Sequence, residues 1–240
     1  DQPNQTGLCR KHVIEACNAA LKRLRVDYLD LYYCHRPDPE TPIEETVRAM
    51  DTLIQQGKVL YWGTSEWSAG EIMEAYSVAR QYNLTPPTME QPRYNMIYRD
   101  RVEGELTRLF HSIGLGMTTF SPVSAGMLTG RYNEGIPANS RLAIERLDFL
   151  RERWERLKEN GIVPVIETLE SIAQKIGANL PQLAIAWCLK NETISSVILG
   201  ASKPEQLVNN LASLEFVDSL DDELMDEINV ALSTVKEIDV

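Results

Sequence analysis

The sequence has no apolar run approaching the ~20 residues that span a bilayer. Its start, Asp1-Gln2-Pro3-Asn4-Gln5, is polar and lacks a signal-peptide core. Membrane insertion is therefore not expected. Basic residues are in deficit: Lys+Arg number 24 against 35 Asp+Glu, a formal net charge of -11. Such a surface repels a phosphate-coated partner, so nucleic acid is not expected, whereas a small anion needs only a local pair of cations. Four cysteines occur, Cys9, Cys17, Cys34 and Cys188, without metal-ligand spacing. Cys17 and Cys188 fall in apolar helical patterns, which points to reduced thiols and a cytoplasmic location, with no metal. No low-complexity tract, clear linker or 20–50-residue repeat is present, so a solenoid is not expected. Also missing are a G-x-S-x-G elbow, a Walker loop, H-E-x-x-H, and a G-x-G-x-x-G after a strand; the last counts against a Rossmann dinucleotide site. The first residue is Asp1 and not Met, so the sequence is expected to begin within its gene.

What remains is an ordinary soluble composition. The 240 residues, 43% hydrophobic and 25% charged, can bury a sizeable core and exclude wholesale disorder. Short apolar runs alternate with longer helical patterns, which argues for βα units and a parallel sheet. A helix is predicted over 10–25, with Ile14, Cys17, Leu21 and Leu24 on one face. Strands are predicted at Tyr28–Cys34, Val59–Thr64, Thr88–Gln91, Leu115–Phe120 and Ser195–Gly200. Thr41-Pro42-Ile43-Glu44 and Ser68 with Glu71 read as capping boxes, and Gly57 as a helix stop. Asp100 and Glu103 are expected to open a helix to Ile113. Further helices are predicted at 148–159, 164–176, 181–190, from a Ser202–Glu205 cap to Leu211, and from Ser219 to Leu232. Residues 122–147 are too long for a plain connector and read as a functional loop. Five βα units suit either an open doubly wound sheet or the larger part of an eight-unit barrel.

The chemistry signal lies just past each strand. His35, Ser65, Gln91, Phe120-Ser121 and Gly200-Ala201-Ser202 mark the ends of the five predicted strands. In parallel α/β folds ligands bind at that carboxyl edge. His35 can orient or protonate a carbonyl oxygen; alone it also reads as a loop histidine before Pro37. Ser65 and Gln91 can hydrogen-bond a carboxamide, and Phe120 can stack on a flat ring. Gly200-Ala201-Ser202-Lys203 opens a helix whose N-terminus attracts phosphate, and Arg131 and Arg141 can add positive charge.

Together these residues resemble the aldo-keto reductase family, in the branch of the voltage-gated potassium-channel β subunits and their plant and fungal relatives. The matching runs include Gly7–His12, His35-Arg36-Pro37-Asp38, Thr41–Met50, Tyr61–Ser68, Glu90-Gln91, Ser121-Pro122, Leu128-Thr129-Gly130, Leu180–Cys188 and Ser195–Ser202. The resemblance implies a (β/α)8 TIM barrel that binds NADP(H) and reduces aldehydes or ketones. By it, His35 matches the active-site histidine, and Ser65 and Gln91 match residues holding the nicotinamide carboxamide. Phe120 matches the aromatic stacked on the nicotinamide. Ser121, Pro122, Val123, Ser124, Ala125 and Gly126 match the segment lining the pyrophosphate. Arg131, in place of a usual Lys, and Arg141 match the cations near the 2′-phosphate. Gly200, Ser202, Gln206, Asn209 and Asn210 match the adenosine side, with Asn209 departing from a frequent Glu and Asn139 from a Tyr.

The family begins with three βα units carrying a catalytic Asp, a Tyr proton donor and a Lys that lowers the Tyr pKa. By the resemblance this sequence starts after the third strand. It is therefore expected to be a single domain over 1–240, N-terminally truncated and represented by about five C-terminal βα units. Open sheet edges and little or no activity are expected of it alone. Three functions compete: a carbonyl reductase, a regulatory NADP(H)-binding β subunit docked on a potassium channel's cytosolic domain, possible as a homo-oligomer, and a truncated pseudoenzyme.

Overall fold

The computed structural model describes residues 3–235. Its contacts divide the chain into two compact units, Asp1–Pro92 with Asp100–Thr118, and Arg93–Arg99 with Thr119–Val240.

The first unit alternates α1 (Arg10–Leu24), β1 (Leu29–Cys34), α2 (Ile43–Gln55), β2 (Val59–Thr64), α3 (Ala69–Tyr82), β3 (Met89–Glu90) and α4 (Thr107–Ile113), and reaches into β4 (Gly116–Phe120). Its strand pairs are all parallel, and one register row runs Cys34↔Thr64↔Glu90↔Met117. Parallel pairing needs helical crossovers, and α2 supplies one by burying Val47, Met50 and Leu53 on a single stripe. α3 starts as expected: Ser68 Oγ accepts from the Glu71 N–H at 3.2 Å while Glu71 Oε2 accepts from the Ser68 N–H at 2.8 Å.

Several predicted details are corrected. α2 begins at Ile43 after Pro42 and makes no side-chain cap. The Thr41 hydroxyl instead donates to Asp38 Oδ2 at 2.7 Å. Asp38 is already fixed by N–H bonds from Leu8 and Glu40, and that from Leu8 most strongly holds its carboxyl below the usual range. In α1 the buried positions are Val13 and Cys17, and Leu24 is 62% exposed, so the apolar face is rotated from the predicted one. β3 is two residues long, although Thr88 N and Gln91 N still donate to Trp62 O and Thr64 O on β2. The helix expected from Asp100 contains a π turn, Val102–Leu106, where the Thr107 hydroxyl donates back to Val102 O, and Arg101 makes no cap.

The second unit holds α5 (Asp148–Glu159), α6 (Ile162–Lys175), α7 (Leu180–Lys190), β5 (Ile194–Ile198), α8 (Pro204–Leu211) and α9 (Asp222–Leu232). α7 is apolar around its whole girth and forms the centre, burying Leu183, Ile185, Trp187 and Cys188. The 122–147 segment is ordered by three short 3₁₀ turns, and Tyr132 packs on Trp154 with ring centroids 5.8 Å apart. Two further caps differ from expectation. Lys203, not Ser202, precedes α8 and makes no cap bond; α9 starts at Asp222, where Asp221 accepts from the Leu224 N–H at 3.0 Å, so Ser219 lies outside it. β5 also starts one residue earlier and ends two earlier than predicted.

In the first unit the strands lie in the order β1-β2-β3-β4. Apolar side chains stand in solvent at β1 and its neighbour, at Tyr28, Leu31, Leu60 and Tyr61. They do so again on α8, which buries no residue and exposes Leu207, Val208 and Leu211. Among the described residues no helix is long and apolar enough to cross a membrane.

One close approach sets the spacing of β2 and β3. A Cβ on Gly63 would lie 2.3 Å from Met89 O and 2.6 Å from Met89 Cγ. Backbone cannot yield as a flexible side chain can. Gly63→Ala is expected to lower unfolding free energy by about 1–3 kcal/mol, read from the urea midpoint at constant m-value; an unchanged midpoint would refute the constraint.

Candidate functional site

The row Cys34↔Thr64↔Glu90 lines up the ends of three strands. One residue further along each strand stand His35, Ser65 and Gln91, so parallel register alone brings three of the predicted residues to one edge of the first unit. His35 is exposed. Ser65 is buried, its N–H donating to Cys34 O and its hydroxyl donating to Gln91 O at 2.9 Å. Gln91 is half-buried and its Nε2 donates to Thr118 Oγ1 at 3.5 Å, which leaves Oε1 as the side chain's acceptor. Tyr33 Oη is 3.0 Å from the same Thr118 hydroxyl. The three side chains are an imidazole, a hydroxyl and an amide, with no carboxylate among them.

Two cations attend this edge that sequence reasoning misses. Arg36 donates from Nη1 to Ser65 Oγ at 3.1 Å and also to His35 O. Its place in His35-Arg36-Pro37-Asp38 is legible in the sequence; its partner is not, because Ser65 is 29 residues away. Arg101 lies behind the edge. It donates to Glu105 Oε1 at 3.1 Å, Glu66 Oε1 at 3.3 Å, Glu90 Oε1 at 3.4 Å and the Trp67 carbonyl. Glu90 has no solvent exposure, and its Oε2 accepts from the Thr64 hydroxyl at 2.5 Å. Burial pushes its carboxyl up to about 7, opposed by Thr64, Arg101 and the Glu66 and Trp67 N–H groups. A Glu before Gln91 carries no sequence mark of burial, so its environment is not foreseeable from local pattern. Burial likewise raises the Cys34 thiol, and all four cysteines are free.

The second unit carries the other predicted residues. Phe120 ends β4, and its carbonyl accepts from the Tyr94 N–H at 3.2 Å. Beyond it, Ser121 is left-handed, and Ser124, Ala125 and Gly126 are three consecutive left-handed residues with φ of 47°, 57° and 95°. Non-glycine residues held there cost about 1–3 kcal/mol each and mark segments whose backbone shape serves a purpose. Here Pro122 is buried, Val123 O accepts from the Gly126 and Leu128 N–H groups, and Asn95 Nδ2 holds Ser121 O at 2.9 Å. The Ser124 N–H donates to Ser121 O at 2.9 Å, so the turn is closed by its own backbone bonds. Arg131 is exposed and braced by Asn139, through Oδ1 at 3.1 Å; Arg141 is exposed on its 3₁₀ turn.

At α8 the Ser202 N–H and hydroxyl both donate to Gln206 Oε1, at 2.9 and 3.0 Å. Gly200 has open space where a Cβ would be, and no left-handed φ, so nothing local requires glycine there. Asn209 Oδ1 accepts from Asn179 Nδ2 at 2.7 Å, and Asn209 O accepts from Gln182 Nε2. Asn210 O accepts from the Ala212 N–H at the helix end. Among the described residues no His, Cys, Asp and Glu cluster could hold a metal ion.

The sequence model of the aldo/keto reductase family matches residues 1–232. A curated relative from Oryza sativa subsp. japonica, described as a probable voltage-gated potassium channel subunit beta, is 47% identical over 237 residues. The match covers 97% of this chain and 70% of the relative.

The buried carboxyl has a stability signature. Its pKa in the fold lies above its ordinary value of 4.5, so its favourable contribution is complete below that pH and is lost as pH rises to about 7. Across that window the unfolding free energy should fall by on the order of 3 kcal/mol more in the wild type than in Glu90→Gln. Parallel urea titrations of the two proteins from pH 4.5 to 7.5 check this; identical slopes would contradict it.

Proposed function

Since the chain belongs to the aldo/keto reductase family, we propose that it binds NADP(H) and serves the reduction of aldehydes or ketones, as one reductase domain extending across both compact units. The observation that carries the proposal is the registered row that sets His35, Ser65 and Gln91 side by side at the carboxyl ends of β1, β2 and β3.

The donor sets present suit the cofactor. In the first unit, Gln91, with its amide oriented by Thr118, would take the carboxamide, joined by Ser65 once its hydroxyl exchanges Gln91 O for the ligand. In the second, Ser121, Pro122, Val123, Ser124, Ala125 and Gly126 would line the pyrophosphate along the left-handed turn, and Arg131 and Arg141 offer charge to a 2′-phosphate. Phe120 would flank the nicotinamide, while Gly200, Ser202, Gln206, Asn209 and Asn210 would line the adenosine. The bound dinucleotide would supply the hydride. His35 would orient the carbonyl by a hydrogen bond to its oxygen. Tyr32 and Tyr33 spend their hydroxyls on Val13 O and Thr118, which supports the reading that neither is the proton donor. We therefore propose that these 240 residues form about five units of an eight-stranded barrel and alone turn over carbonyls about 100- to 10,000-fold more slowly than a complete family member. The exposed apolar residues on β1 and α8 support that reading.

A second reading is favoured by the relative's description. In it the chain is an NADP(H)-binding β subunit that assembles, as a homo-oligomer, with the cytosolic domain of a potassium channel; in either case the location is the cytoplasm. Co-purification with such a domain supports this reading, and its absence favours the reductase.

Fluorescence titration tests the common part. NADPH is expected to bind saturably and at least about tenfold more tightly than NADH, with the preference reduced in Arg141→Met, because a guanidinium pairs bidentately with phosphate. Equal affinity for both dinucleotides would refute the assignment of the two arginines.

A further inference from the structure

Burying an ionisable carboxyl costs far more than burying a leucine of similar size. Glu90 nevertheless has no exposure and sits one residue before Gln91. Its partners lie on both sides of Ser65: Oε2 accepts from the Thr64 hydroxyl at 2.5 Å, and Oε1 accepts from the Trp67 N–H at 3.2 Å. Between them Glu66 is left-handed, at φ 62°, an unfavourable conformation for a residue with a side chain. Arg101 closes the arrangement from outside by donating to Glu90, Glu66 and the Trp67 carbonyl. The same carboxylate therefore holds the turn that carries Ser65 and belongs to the strand end that carries Gln91. We propose that Glu90 and Arg101 are positioning residues, which fix Ser65 and Gln91 in the geometry that receives the nicotinamide end of the dinucleotide without touching it.

This rests on the proposed binding of NADP(H). The charged and titratable groups facing Glu90 are Cys34 on β1, Glu66 in the turn after β2, and Arg101 on the segment before α4, which also carries Glu105. One guanidinium thus serves three carboxylates, and Glu90, being the buried one, is the member that takes up a proton near neutral pH. Ionised, it accepts charge-assisted bonds from Thr64, Trp67 and Arg101; protonated, it holds them less strongly. Positioning is then tighter above about pH 7 than below it.

The test compares two ligands: NADPH, and adenosine 2′,5′-bisphosphate, which lacks the nicotinamide end. Wild type, Glu90→Gln, Glu90→Leu and Arg101→Met are titrated with each between pH 6 and 8, with circular dichroism to verify folding. Glu90→Leu and Arg101→Met are expected to bind NADPH about tenfold more weakly and the bisphosphate within about twofold of wild type, as for loss of a buried charged hydrogen bond. Glu90→Gln, which keeps neutral hydrogen-bonding groups, should recover part of the loss. Relative to the same ratio in Glu90→Gln, the wild-type ratio of NADPH to bisphosphate affinity should fall as pH drops through 7; referring it to Glu90→Gln cancels titration of the ligands' own phosphates. Unchanged NADPH affinity in Glu90→Leu, equal loss of both ligands, or a wild-type ratio with the same pH dependence as in Glu90→Gln overturns the inference. If the leucine variant does not fold, the pH dependence of wild type against Glu90→Gln decides alone. Wild-type protein that binds neither ligand overturns the cofactor assignment and this inference with it; wild-type binding with unaltered ratios overturns this inference only.

Discussion

Parallel register is the constraint on which the first unit's chemistry depends. Once Cys34, Thr64 and Glu90 share a row, the residues after them are neighbours without any further design. That row can form only because β2 and β3 approach closely at Gly63, where Met89 O occupies the volume a side chain would need. The spacing in turn lets the Thr64 hydroxyl reach Glu90 and the Ser65 hydroxyl reach Gln91 O. Shifting β3 by one residue would exchange Glu90 for Gln91 on the two faces of the sheet, putting a carboxylate at the ligand edge and an amide against Arg101.

The two units build their candidate sites by different physical means. The first uses side chains tied to one another: Arg36 on Ser65, Thr118 on Gln91, Glu90 and Arg101 behind both. Such networks hold only while every member is satisfied, which is why the removal of one buried charge propagates to its neighbours. The second unit uses the main chain. Ser121, Ser124 and Ala125 hold left-handed conformations in a turn closed by Ser124 N–H on Ser121 O and Gly126 N–H on Val123 O, and Met127, Leu128 and Tyr132 are buried.

Local signals are enough for much of the architecture. The alternation of apolar runs specifies five strands in sequence order, Ser68 with Glu71 makes the predicted capping box, and Gly57 ends α2 in a left-handed turn. The departures share a cause. Thr41 and Ser202 read as caps from residue type, but a cap hydroxyl would accept from a backbone N–H, and here each donates to a side chain three or four residues away, Asp38 for one and Gln206 for the other. The apolar stripe of α1 is rotated and its end left in solvent because helix periodicity defines a face without saying what covers it.

The amino-acid sequence by itself determined the family, the parallel α/β class and the residues at each strand end, because these depend on periodicity and on matches along one dimension. Only the tertiary structure decided that Glu90 is buried, that Arg101 serves three carboxylates, that Arg36 reaches Ser65, and that Asn209 accepts from Asn179. Each of those is a contact between residues far apart in the chain, or a burial imposed by neighbours. Charge, protonation and hydrogen-bond direction depend on what surrounds a group, and no local pattern specifies that surrounding.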